Sequence, residues 1–441
     1  MTRPWIPLLV WGLLLGNLVP IVWLWWHSGN VTGVHDSGEA LTSVARITGL
    51  LGAYGALLQV VLLSRIPWLE RVAGFDRLSV WHRWNGKATL LLVLAHVFFS
   101  VWGYALQDGY SIGKEISTML GGGIYPGMIT ATVGTGLMVV VVVTSLVIVR
   151  RRLRYEAWYA VHLAAYAAIA LAWFHQIPTG NELVLSEAAA DYWRALYVAT
   201  LALVVGYRVL RPAVNTFRYG LRVADVVEEG PGVVSVHLRG RGLDRLHAQP
   251  GQFFLWRFLD RHRWWSAHPF SLSAVPERGL LRITVKAAGD FTSRIGSVAP
   301  GTRVVAEGPL GQFTDAVRRS DKALLIAGGI GITPVRALAE EARGEIIVVY
   351  RVRREDDAVL LDELESIAAE RGLRLELVTG DHATPAGREL LSPSHLRELV
   401  PDLSDRDIYV CGPPGMTDAI VRTLRSAGVP RRHIHSERFA L

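Results

Sequence analysis

Cysteine is almost missing from this chain: Cys411 is the only one in 441 residues. That excludes an intrachain disulfide and a cysteine-based metal cluster. Charge is also scarce, at 19% of residues against about 25% in typical soluble chains. The scarcity is uneven. Up to about residue 215 the chain is built from recurring apolar runs, each close to the roughly twenty residues a bilayer span requires. Beyond it the composition is that of a soluble protein. No internal repeat or low-complexity tract appears. The formal charge of +7 alone would suit a nucleic-acid binder. The early arginines, however, gather at the ends of apolar runs, where membrane topology accounts for them. Nucleic acid is therefore not an expected partner.

Six spans are expected. The first, 5–26, follows Arg3 and ends in Trp23, Trp25 and Trp26, which suit an interfacial belt. It is longer than the core of a secretory leader and has no small-residue cleavage site, so it is read as retained. The second covers 42–64 and is followed by an Arg-rich stretch. The third carries His82 near its start and His96 deeper. A loop with one basic residue, Lys114, spans 107–127. The fourth span, 128–149, ends in RRRLR. The fifth carries His162 and His175, and the loop at 176–190 after it has no Lys or Arg. The sixth, 192–210, ends at Arg208 and Arg211. Basic clusters therefore follow spans two, four and six. By the positive-inside rule both termini face the cytoplasm, and a plasma-membrane location is expected.

Ionisable side chains within membrane spans are costly and mark functional sites. Four histidines, two on each of two helices, fit bis-imidazole ligation of two b-type haems, whose irons take axial ligands on both faces. Fourteen residues from His82 to His96 rise roughly 21 Å, and thirteen from His162 to His175 roughly 20 Å. That places one haem in each leaflet of a core about 30 Å thick. The expected pairs are His82 with His162 on the cytoplasmic side and His96 with His175 on the outer side. At about 100° per residue, the first helix returns to within roughly 40° of its starting face, but the second lands roughly 140° away. The second helix thus requires a bulge, a bend or unequal side-chain reach. The competing reading is histidines packed between helices or at the membrane surface.

Past residue 217, short alternating strands separated by Gly, Pro and charged turns suggest a small antiparallel barrel. From Asp321, strands alternate with helices, which implies a parallel α/β sheet. The expected fold is a six-helix transmembrane bundle (1–216), an antiparallel β-barrel FAD domain (217–318) and an α/β nucleotide domain (319–441). His268-Pro269-Phe270-Ser271-Leu272-Ser273 offers an aromatic face, a hydroxyl and a basic ring, which suits a flavin. Lys286-Ala-Ala-Gly289-Asp-Phe291-Thr292-Ser293 leads from a strand into a short helix whose free amides favour a pyrophosphate; the alternative is an ordinary capped helix. Gly328-Gly329-Ile-Gly331-Ile-Thr333-Pro334 follows a strand and opens a helix, where backbone can approach a dinucleotide. Cys411-Gly412-Pro413 ends the last predicted strand, where ligands bind in open α/β sheets. Cys411 is read either as a thiol beside the nicotinamide or as an inert core residue.

Taken in order, HPFSLS, VKAAGDFTS, GPLG, GGIGITP, CGPPGM and a terminal aromatic resemble the ferredoxin–NADP reductase family. The six spans with histidine pairs on the third and fifth resemble the ferric reductase transmembrane domain. Together the chain resembles the NADPH oxidase and ferric reductase superfamily over nearly its whole length. The resemblance implies that Phe270 stacks on the flavin and Ser271 bonds near its N5. It implies that Gly289, Phe291, Thr292 and Ser293 hold the FAD pyrophosphate, and that Gly329, Gly331, Thr333 and Pro334 cradle the nicotinamide dinucleotide. Phe439 would cover the flavin and yield to the nicotinamide. His268 stands where soluble members have arginine, Leu310 where the oxidases often have an aromatic, and Ser100 where they have a further histidine.

NADPH is favoured over NADH by Arg351 and Arg353, since arginine accommodates a 2′-phosphate; Glu355, Asp356 and Asp357 nearby suit a free ribose instead. The implied activity moves electrons from cytoplasmic NAD(P)H through FAD and the two haems to an outer acceptor, O2 foremost. A ferric chelate is the alternative, as is a protein partner. Arg46 either attracts developing superoxide or pairs with a haem propionate. His35, Asp36 and Glu39 either meet a metal or form a solvated loop. The oligomeric state is not legible.

Overall fold

The structure is a computed structural model that describes residues 11–438, apart from Leu13, Gly122, Arg151, Arg154, Arg278 and His382. The chain divides into two compact units that part at Val209 and Leu210.

The N-terminal unit is helical. Its main elements are α1 (Leu18–Trp25), α2 (Ser37–Leu62), α3 (Phe75–Asp108), α4 (Ile112–Gly121), α5 (Met128–Ser145), α6 (Tyr155–Thr179) and α7 (Glu187–Val204). Among the described residues, five helices are long and apolar enough to cross a membrane; they contain α2, α3, α5, α6 and α7. Residues 5–10 and Leu13 of the expected first span lie outside the described residues. The span's described end is α1, which runs into a π-turn at Trp26–Asn30. Helix α3 starts at Phe75, within the Arg-rich stretch, and runs 34 residues, about 51 Å at 1.5 Å per residue, well beyond a core of about 30 Å. One expectation needs correction. The loop at 107–127 contains α4, whose Glu115 and Met119, four residues apart, share a buried face.

The C-terminal unit begins with α8 (Arg211–Tyr219). The division therefore precedes the expected boundary at 216/217: α8 ends in the buried Tyr219, which belongs to the core of the strands that follow. Six antiparallel strands come next: β1 (Arg222–Gly230), β2 (Val233–Arg239), β3 (Phe253–Phe258), β4 (His268–Ser271), β5 (Leu280–Lys286) and β6 (Val304–Leu310). They form two three-stranded sheets, ordered β1-β2-β5 and β4-β3-β6. Single bridges Leu272–Ile283 and Arg222–Arg303 join the sheet edges. Alternation along the strands puts Val236, Leu238, Phe254, Trp256, Phe258 and Ile283 into one shared core.

The remaining strands are parallel: β7 (Lys322–Gly328), β8 (Glu345–Val352), β9 (Arg374–Thr379), β10 (Asp407–Gly412) and β11 (Ile434–Arg438), in the order β11-β10-β7-β8-β9. Helices α9 (Ile332–Glu341) and α10 (Leu361–Arg371) cover one face, and α11 (Pro414–Ser426) covers the other. Fully buried runs such as ALLIAG in β7 and IYVCG in β10 are what a sheet covered on both faces demands. Strand order reverses between β7 and β10, so their carboxyl ends open the crevice in which such sheets bind ligands.

Candidate functional site

The histidine pairs meet as their heights require. The ring centroids of His82 and His162 lie 6.0 Å apart, and those of His96 and His175 lie 6.3 Å apart. A metal–imidazole bond of about 2.0 Å, with about 1 Å more from nitrogen to ring centre, sets two trans imidazoles on one metal about 6 Å apart. Both pairs fit that spacing. Helix α6 is continuous between its two histidines, so a bulge does not resolve the angular mismatch; a bend or unequal side-chain reach remains to account for it. Among the described residues no three His, Cys, Asp or Glu side chains cluster as metal ligands.

The rings are aimed by their outer nitrogens. Nδ1 of His82 lies 3.0 Å from the Gln59 carbonyl and Nδ1 of His96 lies 2.8 Å from the Ala45 carbonyl. A carbonyl only accepts, so each Nδ1 carries the hydrogen and each Nε2 keeps its lone pair. Ser145 does the same for His162. Its hydroxyl donates to the Val141 carbonyl at 2.7 Å, so the oxygen is left to accept from His162 Nδ1 and Trp158 Nε1, both at 3.2 Å. Trp158 also stacks on the His162 ring, 5.0 Å between centroids. Gly49 makes room for His96: a β-carbon there would lie 2.7 Å from Nδ1 and 3.0 Å from Cε1.

In the C-terminal unit, Ser271 on β4 is 2% exposed, and its hydroxyl has no hydrogen-bond partner. A buried polar atom left so is costly and marks a place for a ligand atom. Phe270 is partly buried against the core, and Phe291 stacks on His268 at 3.8 Å. Pro269 and Lys286 are exposed. The amides of Ala288 and Gly289 are not free: both donate to Thr292 Oγ1, at 2.8 and 3.0 Å. The Ser293 hydroxyl donates to the Gly289 carbonyl at 2.9 Å. The capped-turn reading therefore holds for those two amides, correcting the expectation that they face a pyrophosphate.

The two glycine-bearing turns of the nucleotide sheet are pressed together. A β-carbon on Gly331 would lie 2.2 Å from the Cys411 carbonyl oxygen, and one on Gly412 would lie 3.2 Å from Gly328 Cα. Gly329 has φ +51°, a conformation glycine accepts freely. Thr333 and Pro334 are buried in the first turn of α9, and Thr333 donates to the Ile330 carbonyl at 3.1 Å. Pro413 precedes α11.

Three family descriptions match successive parts of the chain: "Ferric reductase like transmembrane component" over residues 48–173, "FAD-binding domain" over 218–314 and "Oxidoreductase NAD-binding domain" over 325–422. In succession these give the chain the ferric reductase and NADPH oxidase type of architecture. The chain is an NAD(P)H-dependent membrane oxidoreductase with FAD- and NAD-binding domains. The ferredoxin reductase component of 3-ketosteroid-9-alpha-monooxygenase from Mycolicibacterium smegmatis is 32% identical over 232 residues, which are 50% of this chain and 65% of that protein. A flavohemoprotein of Pseudomonas putida is 30% identical over 278 residues, 58% of this chain and 69% of the relative. NADH-cytochrome b5 reductase 2 of Chaetomium globosum is 32% identical over 158 residues, 32% of this chain and 45% of that protein. The solved FAD/NAD-binding domain of nitric oxide dioxygenase from Vibrio cholerae aligns over 50% of this chain and 98% of its own, at 21% identity and a TM-score of 0.41.

Some residues expected to serve this ferric reductase-type chain are placed otherwise. Cys411 is fully buried in the sheet core beside Tyr409 and Ala327; burial, then the nearby Glu437 carboxylate, push its thiol well up, so it stays neutral. That is the core-residue alternative, and it removes the thiol from chemistry beside the nicotinamide. Arg351 donates to the backbone carbonyls of Val352, Val378 and Gly387. Arg353 is exposed. His35, Asp36 and Glu39 form the cap of α2: Asp36 accepts from the Glu39 amide, and Glu39 from the His35 amide. Arg46 donates to Asn30 Oδ1 at 2.8 Å, and Asn30 donates to the buried Glu182 at 2.7 Å. Neither Asn30 nor Glu182 is evident from sequence, because 152 residues separate them. Phe439 lies outside the described residues.

Proposed function

We propose that this chain carries electrons from NAD(P)H on the cytoplasmic side of the plasma membrane to an acceptor outside it, O2 foremost. His82 with His162, and His96 with His175, would each hold one haem b. The two centroid separations near 6 Å carry this reading. When bound, FAD turns a two-electron hydride donor into single electrons, and the haems relay these across the bilayer. Ser271 would supply the hydroxyl at the flavin's reactive edge, and Phe270 with His268 an aromatic wall. Gly329, Gly331, Thr333 and Pro334 would shape the dinucleotide seat, with Gly412 and Pro413 as its opposite lip. Of the two arginines expected at a 2′-phosphate, only Arg353 remains exposed, so discrimination against NADH is weak.

Arg46 sits next to Ala45, whose carbonyl orients His96, so it lies at the level of the outer pair. Its tie to Asn30 and Glu182 holds that cation in place beside the acceptor. A ferric chelate is the second reading, because an anionic chelate suits the same cation. Purified protein loaded with FAD and haem would be given NADPH or NADH in air with superoxide detection, and again without oxygen with a ferric chelate. Superoxide that depends on His96 and His175 supports the oxidase. Rapid ferric reduction with little superoxide supports the reductase instead.

Two substitutions test the parts. Ser271→Ala removes an orphaned hydroxyl, so thermal stability stays level or rises slightly. Loss of a bond worth about 1.5–3 kcal/mol slows flavin reduction by about 10- to 100-fold, as stopped-flow bleaching will show. Gly49→Ala drives a methyl into the His96 ring, at an overpacking cost of about 1–3 kcal/mol. Low-temperature EPR should show one of two haem signals altered and the other unchanged.

A further inference from the structure

Ser273, the last residue of the flavin-strand motif, has no role in the reading above. Yet it anchors a cluster of four charges. Arg282 on β5 donates to the Ser273 carbonyl at 2.9 Å and to its hydroxyl oxygen at 3.2 Å. The same guanidinium grips Glu363 on α10 with two bonds of 2.8 Å. Arg336, on the helix opened by the glycine turn, reaches the Ser273 carbonyl at 3.3 Å; its Nε lies 2.8 Å from Glu363 Oε2. It also pairs with Glu340, whose carboxylate accepts the Val275 amide at 3.0 Å.

Two arginines and two glutamates balance, and the arginines are only 9% and 8% exposed. Burial alone would raise the Glu363 carboxyl; the bonds and charges of Arg282 and Arg336 outweigh it and hold the group below its ordinary value. Breaking a buried pair leaves a charge uncompensated, so the cluster resists opening. Every contact from the nucleotide-domain side of this cluster, apart from the grip on Arg282, lands on Ser273–Val275, two residues beyond Ser271. Helix α9 carries the dinucleotide seat at one end and Arg336 near its middle.

We infer that Arg282, Arg336, Glu340 and Glu363 are positioning residues: they lock the nucleotide-binding helix to the flavin strand and so set the approach of the nicotinamide to the flavin. The inference rests on the proposed FAD and NAD(P)H sites. Each ligand keeps its own contacts without the lock, so binding and transfer separate. A misplacement of 1 Å costs about 100-fold in rate.

The test uses the full-length, FAD-loaded chain. In Glu363→Ala, bleaching of the flavin at saturating NADPH should slow by about 100-fold. FAD content and the half-saturating NADPH concentration should stay at the parent values. Arg282→Lys keeps the charge but loses the two-pronged bond, and should show the same pattern to a smaller degree. Cys411 is buried, so Val275→Cys with Glu340→Cys can be joined selectively by a short bifunctional thiol reagent. In the Glu363→Ala background that link should restore the bleaching rate. Parent-like bleaching in both variants, or a slow rate that the link leaves unchanged, overturns the inference. Loss of FAD in both does so too, since the cluster would then serve folding of the flavin domain. A parent protein whose flavin NADPH and NADH fail to bleach instead overturns the reading of the site itself.

Discussion

Replacing His96 with alanine should leave one haem per chain and stop delivery to any outer acceptor, while NAD(P)H still bleaches the flavin at the parent rate. The reason is geometric. His96 and His175 face each other at 6.3 Å, and Nδ1 of His96 is fixed by the Ala45 carbonyl. Losing only an orienting partner of a metal-bound histidine costs about 10- to 100-fold, so losing the ligand costs acceptor reduction on the order of 100-fold or more. His175→Ala should give the same spectrum and rate, and the double variant should be no worse than either. Haem quantification with rapid-mixing absorbance reads all three. Unequal effects would show that the two residues do not share one metal.

Gly331→Ala should raise the half-saturating NAD(P)H concentration by about 10- to 100-fold and leave FAD and haem content unchanged. The added β-carbon would lie 2.2 Å from the Cys411 carbonyl oxygen, 2.5 Å from its carbon and 2.8 Å from Gly412 Cα. These are all backbone atoms, so no side chain can swing aside. Overpacking of this kind costs about 1–3 kcal/mol. The strain falls on the contact between the GGIG and CGPP turns, which closes one side of the crevice. Gly415→Ala is the matched control, because nothing lies within 4 Å of its β-carbon position. Steady-state titration with NADPH and NADH distinguishes the two variants.

What the sequence made legible was what repeats locally. Apolar runs and their basic ends marked the spans, and two pairs of histidines at helical spacing anticipated both close pairs. The alternation in GVVSVHL and the buried runs ALLIAG and IYVCG announced their strands. What it hid depends on distant partners. Ser145 aims His162 only because its one hydrogen is already given to Val141. Asn30 joins Arg46 to Glu182 across the membrane unit. The contacts of Arg351 with three backbone carbonyls, two of them on distant segments, are likewise not legible. The Ala288 and Gly289 amides are capped by Thr292, which the motif alone does not reveal. Helix α4 is not legible because its buried face is short and includes Glu115, a residue that periodicity counts as polar.

The most direct test of the central claim is the haem-to-flavin ratio of the intact protein, taken with the spin state of its haems. Two haems per FAD are expected, both six-coordinate and low-spin, with two distinguishable EPR signals. One haem per FAD, or a high-spin haem with an open axial position, would contradict the claim.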